Sequence, residues 1–279
     1  MNLNHKYKLH IVILTKNSVD ILVQTISSII EKRLYVPNTF TDYIIYVADT
    51  GSTPDNKKKI REFQSRYPDI AFRNIYFDGY HFARVNNYVI KNKIQKTPNK
   101  TDLVLFCNND LKLLSDCVTD LITLHDKTPN VGTIGCKLIF ENGTIQHAGQ
   151  IINRYQTGKV LVPTHRGLGQ PIHNFNETDK VVGNTGALAL ISLDLLLDIG
   201  GLSEEYRYYF EDVQLNIECL VRGKDNYYIG SSVAYHYESV NVGRESMDKV
   251  AIQEQDLNNV LRPYMNNNVK VLEKFYEAN

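Results

Sequence analysis

The sequence predicts an α/β protein with a mostly parallel central sheet, and three observations carry that prediction. Short apolar runs at 9–14, 43–47, 71–77 and 103–107 have the length and continuity of strands buried on both faces. Segments with helical spacing lie between them. Three of the runs end in polar clusters, Thr15-Lys16-Asn17-Ser18, Asp49-Thr50-Gly51-Ser52 and Asn108-Asn109-Asp110. The C-terminal edge of such strands is where open α/β sheets hold ligands.

In chain order, LHIVIL at 9–14 is a first buried strand stopped by TKNS. Ser18 is placed to cap the next helix, whose Ile21, Leu22, Ile26, Ile29 and Ile30 repeat at helical spacing. Residues 43–47 form a second strand, 57–67 a polar-faced helix, 71–77 a third strand and 82–93 another helix. The chain then reaches the stretch around which the rest is organised, TDLVLFCNNDLKLL at 101–114. There an apolar strand breaks off in two amides and a carboxylate. Strand, helix, strand, helix, strand is the grammar of a parallel sheet.

The second half changes character. Residues 131–140 and 149–152 read as short strands around a turn at Glu141-Asn142-Gly143. Residues 155–180 are polar, rich in Gly, Pro and His, and read as a loop. A strand over 182–191 leads to a helix over 193–199, stopped by Gly200-Gly201. A helix over 210–222 carries Glu211 and Asp212 in its first turn, and a strand over 227–235 runs into His236. From Arg244 onward the chain is polar and reads as helical, with a break near Pro263.

Composition narrows the classes. A chain of 279 residues, 43% hydrophobic and 22% charged, is one large globular domain or a domain with an appendage. Its 31 basic and 31 acidic residues cancel, so no global charge points to nucleic acid or an anionic membrane. The N-terminal stretch lacks a signal-peptide pattern and no run approaches the length of a membrane span, which predicts a cytoplasmic protein without a transmembrane segment. Cys107, Cys117, Cys136 and Cys219 lack CxxC spacing and lie in apolar surroundings, as buried free thiols do; a zinc site is not expected.

The polar clusters carry the chemistry. Asp110 offers hard oxygens to Mg²⁺ or Mn²⁺, ions often held by one or two carboxylates plus substrate phosphates. An Asn-rich turn accounts for the same residues without a ligand. Asp49, beside Gly51-Ser52, can accept hydrogen bonds from a nucleobase imide or a ribose hydroxyl, and it is equally a common turn residue. No GxGxxG follows the first strand and no GxxxxGK[ST] occurs, so dinucleotide and P-loop chemistry lose their main support. Phosphates bound here would need a metal at Asp110, with Lys16 or Arg84 as further cations.

Glu211-Asp212 follows the aromatic run Tyr206, Tyr208, Tyr209, Phe210. The helix dipole favours acids there, and a general base in a partly apolar cleft is the functional alternative. His236 precedes Glu238 and is a candidate ligand whose ring a nearby carboxylate could orient. His147, His165 and His173 lack metal-ligand spacing.

Singly these signals are modest, but their order is that of a family. The segments VILTKNS, YVADTGSTPD, HFARVNN, LFCNNDLKL, GTIQHAG, GALALISLDLLLDIGGLSEEY with YFEDVQL, and AYHYESV resemble a family 2 glycosyltransferase of the GT-A fold over nearly the whole chain. LFCNNDLKL is similar to the DXD metal motif, with Asn108 where many members carry the first Asp. His81 stands where a glycine is usual.

The resemblance implies an α/β/α sandwich with a C-terminal helical extension. The glycosyltransferase domain would span 1–243, with a nucleotide-binding half at 1–114 and an acceptor and catalytic half at 115–243; the extension would be 244–279. Thr15, Asn17 and Asp49 would contact the base and ribose of a nucleotide-sugar. Asn86 or Asn87, with Arg84 nearby, would line the nucleotide or diphosphate pocket, and Asn108 and Asn109 belong to the same donor-binding motif. Asp110 and His236 would ligate Mn²⁺ or Mg²⁺, Asp212 would be the catalytic base, and Glu211 beside it would orient the acceptor.

The implied reaction is inverting transfer from a UDP- or dTDP-sugar to a hydroxyl of a glycan or lipid-linked glycan, in surface-polysaccharide synthesis. It would take place in the cytoplasm or at the inner face of the membrane. Residues 155–180 and the chain after Arg244 match no shared motif and are candidates for acceptor recognition. Peripheral membrane attachment and homo-oligomerisation stay open, although the C-terminal helices show no convincing apolar stripe or basic face. Two other classes compete. A sugar-nucleotide nucleotidyltransferase would carry a Gly-rich phosphate loop, absent here; an inactive nucleotide- or glycan-binding module would have no reason to keep Asp110, Asp212 and His236 together.

Overall fold

A computed structural model describes residues 7–34, 42–94, 96, 101–155, 160–237 and 247–275. Its first half alternates β1 (Tyr7–Thr15), α1 (Val19–Leu34), β2 (Asp42–Asp49), α2 (Pro54–Gln64), β3 (Ala71–Tyr76), α3 (Phe82–Asn92) and β4 (Thr101–Cys107). Next come β5 (Leu111–Leu113), α4 (Cys117–Lys127), β6 (Val131–Ile139), β7 (Ile145–His147), β8 (Gln150–Tyr155), β9 (Val160–His165) and β10 (Thr178–Val181). Then β11 (Leu188–Ser192), α5 (Leu193–Ile199), α6 (Glu211–Val221) and β12 (Asp225–His236) complete the main body. The C-terminal region holds α7 (Met247–Asp256), a π-helical turn (Leu257–Leu261), α8 (Arg262–Asn267), α9 (Val269–Leu272) and a last 3₁₀ turn (Glu273–Phe275).

The main sheet runs β10-β12-β6-β11-β4-β1-β2-β3. Strands β3, β2, β1 and β4 are mutually parallel, as are β6 and β12. Between those two blocks β11 runs antiparallel to β4 and β6. β5 joins β12, β7 joins β6, and β8 and β9 form a separate antiparallel ribbon.

Alternation along β1 divides the interior. Leu9, Ile11 and Ile13 enter a core with residues of α1, α2 and α4, while Val12 and Leu14 face a second core built with α3, α5 and α6. Helices therefore cover both faces, which is why the central strands read as unbroken apolar runs. A third cluster packs Leu261, Met265 and Leu272 of the C-terminal region against Val213, Ile217 and Leu220 of α6. The helical extension is thus seated on the back of the Glu211-Asp212 helix.

Three expectations change. Residues 155–180 are not one loop: β9 pairs with β8, and β10 adds to the outer edge of the sheet. β9 pairs with its sequence neighbour β8, Tyr155 opposite Val160, whereas the β10 pairing with β12 is non-local, and a short polar edge strand such as TDKV leaves no periodic signal. The strand expected over 182–191 begins only at Leu188, because Gly183 and Asn184 are used in a polar junction described below. The break expected near Pro263 is not an interruption of the helix but a π turn at Leu257–Leu261 that runs directly into α8, with Pro263 in the first turn of α8. Glu238 and the start of the expected C-terminal helix lie outside the described residues.

Candidate active site

The parallel strands deliver their polar ends to one edge. The backbone N–H of Thr50 bonds to the carbonyl of Thr15, so the turns after β1 and β2 are stitched together. Asp49 is 2% exposed; its Oδ1 accepts the N–H groups of Gly51 and Ser52 at 3.0 and 2.7 Å. Its Oδ2 is buried without a hydrogen-bond partner among the described residues, an acceptor left for something else. Thr15 accepts from the Asn109 amide at 3.2 Å. Asn17, at a left-handed φ of 59°, uses its side-chain oxygen to bind the N–H of Thr53 and the amide of Asn56. Asn17 therefore ties the turn after β1 to the turn after β2.

β4 brings Asn108, Asn109 and Asp110 to the same edge, and the end of β12 brings His236. The His236 Nε2 lies 3.2 Å from Asp110 Oδ1 and 3.2 Å from the Asn108 amide nitrogen. Its Nδ1 lies 2.7 Å from the side-chain oxygen of Gln146 on β7. Asp110 Oδ1 is buried with no hydrogen-bond partner among the described residues. A carboxylate oxygen and an imidazole nitrogen facing each other at that distance fit a hard divalent ion. Among the described residues no group of three His, Cys, Asp or Glu side chains surrounds a common point, so substrate oxygens would have to complete the shell. A cleft of about 450 Å³, bordered by Phe140, Glu141, Asn142, His236 and Tyr237, opens beside this pair.

The second acidic centre stands next to the first. The Asn108 N–H bonds to the carbonyl of Ala187, and the N–H of neighbouring Gly186 bonds to Asp212 Oδ2 at 2.9 Å. A side chain at 186 would press a Cβ to 3.2 Å from the Phe82 ring and 3.6 Å from the Asp212 Cβ, so a glycine permits the close approach. Ahead of α6, Phe210 has φ 80°, a left-handed conformation that a bulky residue adopts at a cost of about 1–3 kcal/mol. That turn is held from both sides: Tyr206 donates to Gln214 at 2.6 Å, and the N–H of Arg207 donates to Asp256 at 3.0 Å.

Glu211 is buried, and burial together with the charges of Asp212 and Asp256 pushes its carboxyl up to about 8. Tyr80 is about half exposed as a residue (53%), while burial of its hydroxyl and the charges of Glu211 and Asp110 push its pKa up.

Other sequence candidates turn elsewhere. The Asn87 amide is committed to the backbone of Leu202 and to Glu204, and Arg84 reaches the same Glu204 at 3.5 Å. Both clamp the 202–204 turn. Asn86 donates to Phe82, and its side-chain oxygen is a buried acceptor without a hydrogen-bond partner among the described residues. His81, the residue in the glycine's usual place, caps α3 through its Nδ1 and the Arg84 N–H.

Several residues escape sequence reasoning. Gln146 meets His236, and His147, buried at 1%, accepts the N–H of Thr185 at 3.4 Å and faces His165 across 3.2 Å between Nδ1 atoms. Asn184, Asn216, Asn226 and Thr133 form a buried polar junction between α6, β6 and β12. A Cβ on Gly183 would fall 2.1 Å from the Asn216 side chain, so the junction also demands that glycine. The signal for it was present in the small residues of 183–187, but not the identity of its partners.

A parallel sheet whose carboxyl edge gathers acceptor-rich turns, bounded by an acid-bearing helix, defines the GT-A-type class. The chain has the same fold as GalNAc-T7 solved with UDP, GalNAc and Mn²⁺, with TM-score 0.62 and 12% identity over 88% of this chain and 48% of that one. It also matches the mannosyltransferase PcManGT from Pyrobaculum calidifontis in complex with GDP-Man and Mn²⁺, with TM-score 0.59 and 12% identity over 98% and 76%. The Glycosyl transferase family 2 model matches residues 10–200, and the chain belongs to that family.

Among curated proteins, the O-antigen biosynthesis protein RfbC of Myxococcus xanthus is 23% identical over 84% of this chain and 18% of its own length. The uncharacterized protein y4gI of Sinorhizobium fredii is 26% identical over 84% of this chain and 25% of its own. The chain thus spans about a fifth to a quarter of those relatives.

Proposed function

We propose that the chain is an inverting, metal-assisted glycosyltransferase that moves a sugar from a nucleoside-diphosphate donor, UDP- or dTDP-linked, to a hydroxyl of a glycan or lipid-linked glycan. The observation that carries this is the junction of the two acidic centres: Asp110 and His236 on one side, and Asp212 tied to the same strand edge through Gly186 and Ala187 on the other. Family membership and the donor and Mn²⁺ complexes of the two related folds support it. The M. xanthus relative's role in O-antigen biosynthesis supports a surface polysaccharide as product. Among the described residues no helix is long and apolar enough to cross a membrane, and the proposed site of action is the cytoplasm or the inner membrane face.

In this reading Asp49 accepts from the base or ribose through its open Oδ2, with Thr15 and Asn109 as the floor of the nucleotide pocket. Asp110 and His236 would hold Mn²⁺ or Mg²⁺, which when bound neutralises charge on the diphosphate. Asp212 takes the proton of the acceptor hydroxyl. The freed oxygen attacks the anomeric carbon from the side opposite the diphosphate, that C–O bond breaks, and the nucleoside diphosphate leaves with the electron pair. Glu211 keeps its own proton up to about pH 8 and is therefore able to donate a hydrogen bond to the acceptor while Asp212 serves as base. The Gly186 N–H fixes the Asp212 carboxylate for this task.

Calorimetry with UDP, dTDP, GDP and CMP, with and without Mn²⁺, tests the donor site in wild type and Asp110→Ala. The expected result is one nucleoside diphosphate bound with metal dependence that Asp110→Ala abolishes. Binding of none, or of CMP alone without metal, rejects the assignment.

A further inference from the structure

The ion-binding pair leaves a question that the two ligands do not answer: which nitrogen of His236 carries its proton. A histidine can bind a cation only through a lone pair, so the ring must be held as the correct tautomer before the ion arrives. Sequence offers Glu238 as the orienting group, two residues away. The geometry assigns a different one.

We propose that Gln146 is a positioning residue that holds His236 as the Nδ1–H tautomer, with the Nε2 lone pair turned toward Asp110 Oδ1. Two amides agree on this arrangement. Gln146 presents its oxygen to Nδ1 at 2.7 Å, which only an N–H on the ring can satisfy. Asn108 presents its amide nitrogen, a donor, to Nε2 at 3.2 Å, which only a lone pair can satisfy. With Nε2 unprotonated, it and the orphaned Asp110 Oδ1 are two electron-rich atoms 3.2 Å apart, an arrangement that calls for a cation.

Gln146 is itself well placed to hold a ring still. It is 4% exposed and lies on β7, a three-residue strand with every residue buried, which pairs with β6 through Ile145 and His147 on either side of Gln146; β6 in turn pairs with β12 ahead of His236. Its neighbour His147 points to the other acidic centre, where it accepts the N–H of Thr185, one residue from the Gly186 that holds Asp212. The short strand thus fixes both centres relative to one another. A neutral amide suits the job: it leaves the ligand pair's charge to Asp110, where a carboxylate at 146 would add a second negative charge in a buried place.

The inference rests on reading Asp110 and His236 as ion ligands, and two separate readouts keep its fate apart from that reading. The first needs no metal. Imidazole ¹⁵N spectra of the metal-free protein, with the His236 signals identified from a His236→Asn sample, are expected to show Nδ1 protonated in wild type and in Gln146→Glu. In Gln146→Leu and Gln146→Met, neither of which offers an oxygen to accept that proton, the population is expected to move toward Nε2–H. A wild-type ring protonated at Nε2, or a ring unmoved by both apolar variants, overturns the proposal.

The second readout is Mn²⁺ affinity at saturating UDP and, separately, GDP. The two apolar variants are expected to bind about 10–100-fold more weakly than wild type, and Gln146→Glu to retain wild-type affinity or exceed it. A residue that merely fills space predicts the reverse order, with Met tolerated and Glu damaging, and that order would refute it. If wild type binds no Mn²⁺ with either nucleotide, the donor-site reading fails while the nitrogen spectra still decide the role of Gln146. Thermal unfolding of each variant separates a local effect from loss of fold, and Met stands in should Leu not fold.

Discussion

At the scale of single residues, two adjacent carboxyls, Glu211 and Asp212, sit in different surroundings. Glu211 points into the protein, and the loss of water there, with Asp212 and Asp256 nearby, raises its carboxyl from 4.5 to about 8. Between those values the unfolded chain has released this proton and the folded chain has not, so the folded state loses stability as pH rises through that window. Glu211→Gln is expected to flatten this dependence. Unfolding midpoints measured across the window should converge at its acid end and favour the variant at its alkaline end; parallel curves would refute the burial argument. Asp212→Asn keeps the shape but removes the proposed base, and is expected to lower kcat by about 10²–10⁴-fold with donor affinity unchanged, checked by initial rates alongside calorimetry. Arg84 and Glu204 are both well exposed, at 68% and 42% for their side chains. Arg84→Ala should therefore cost less than about 1 kcal/mol in a denaturant titration.

At the scale of elements, helix α6 matters because its first turn carries both acids, and its position is fixed by polar contacts at one end and apolar contacts behind. Asn216 donates to Gln150 and to the carbonyl of Asn184, while its own oxygen accepts from Thr133. Replacing it with Leu would leave those partners unpaired in a buried junction. Asn216→Leu is expected to destabilise the fold by roughly 2–5 kcal/mol and to depress kcat, because α6 would lose its register against β6. Chemical denaturation measures the first effect and steady-state kinetics the second. Asn87 serves the turn after α5 in the same way, bonding both the N–H and the carbonyl of Leu202. That commitment explains why an asparagine expected beside the nucleotide is spent on holding a turn.

At the scale of the whole molecule, the C-terminal region is a buttress. Leu261, Met265 and Leu272 are fully buried against α6, and Tyr264 donates to Glu218 on that helix at 2.6 Å. Asp256 goes further, since it binds the Arg207 N–H in the strained turn that leads to Glu211. Met265→Ala is expected to cost about 2–5 kcal/mol through the cavity it leaves, read as a shift in denaturant midpoint at constant slope. Removing residues from 247 onward should abolish turnover even with the donor site intact, because the helix that carries the proposed base would lose its apolar backing. Retained turnover in that truncation would show that the extension acts elsewhere.

Much of the frame was legible in the chain. The runs at 9–14, 43–47 and 103–107 read as buried strands, since unbroken apolar segments of that length suit both faces of a covered sheet. The alternation of strand and helix then required a parallel sheet, and the polar tips of those strands had to share an edge. That logic brought Asp49, Asn108, Asn109 and Asp110 to one place without further information, and the order of the segments supplied Asp212 and His236. Tertiary structure alone decided the rest, because partners far apart in sequence leave no periodic trace. β10 and the antiparallel entry of β11 depend on non-local pairing. Gln146 reaches His236 across 90 residues, and Asn87 reaches Leu202 across 115. Local pattern reports which residues are buried and which end a strand; which buried amide meets which ring is set only when the whole sheet closes, by the requirement that each polar group taken out of water find a partner.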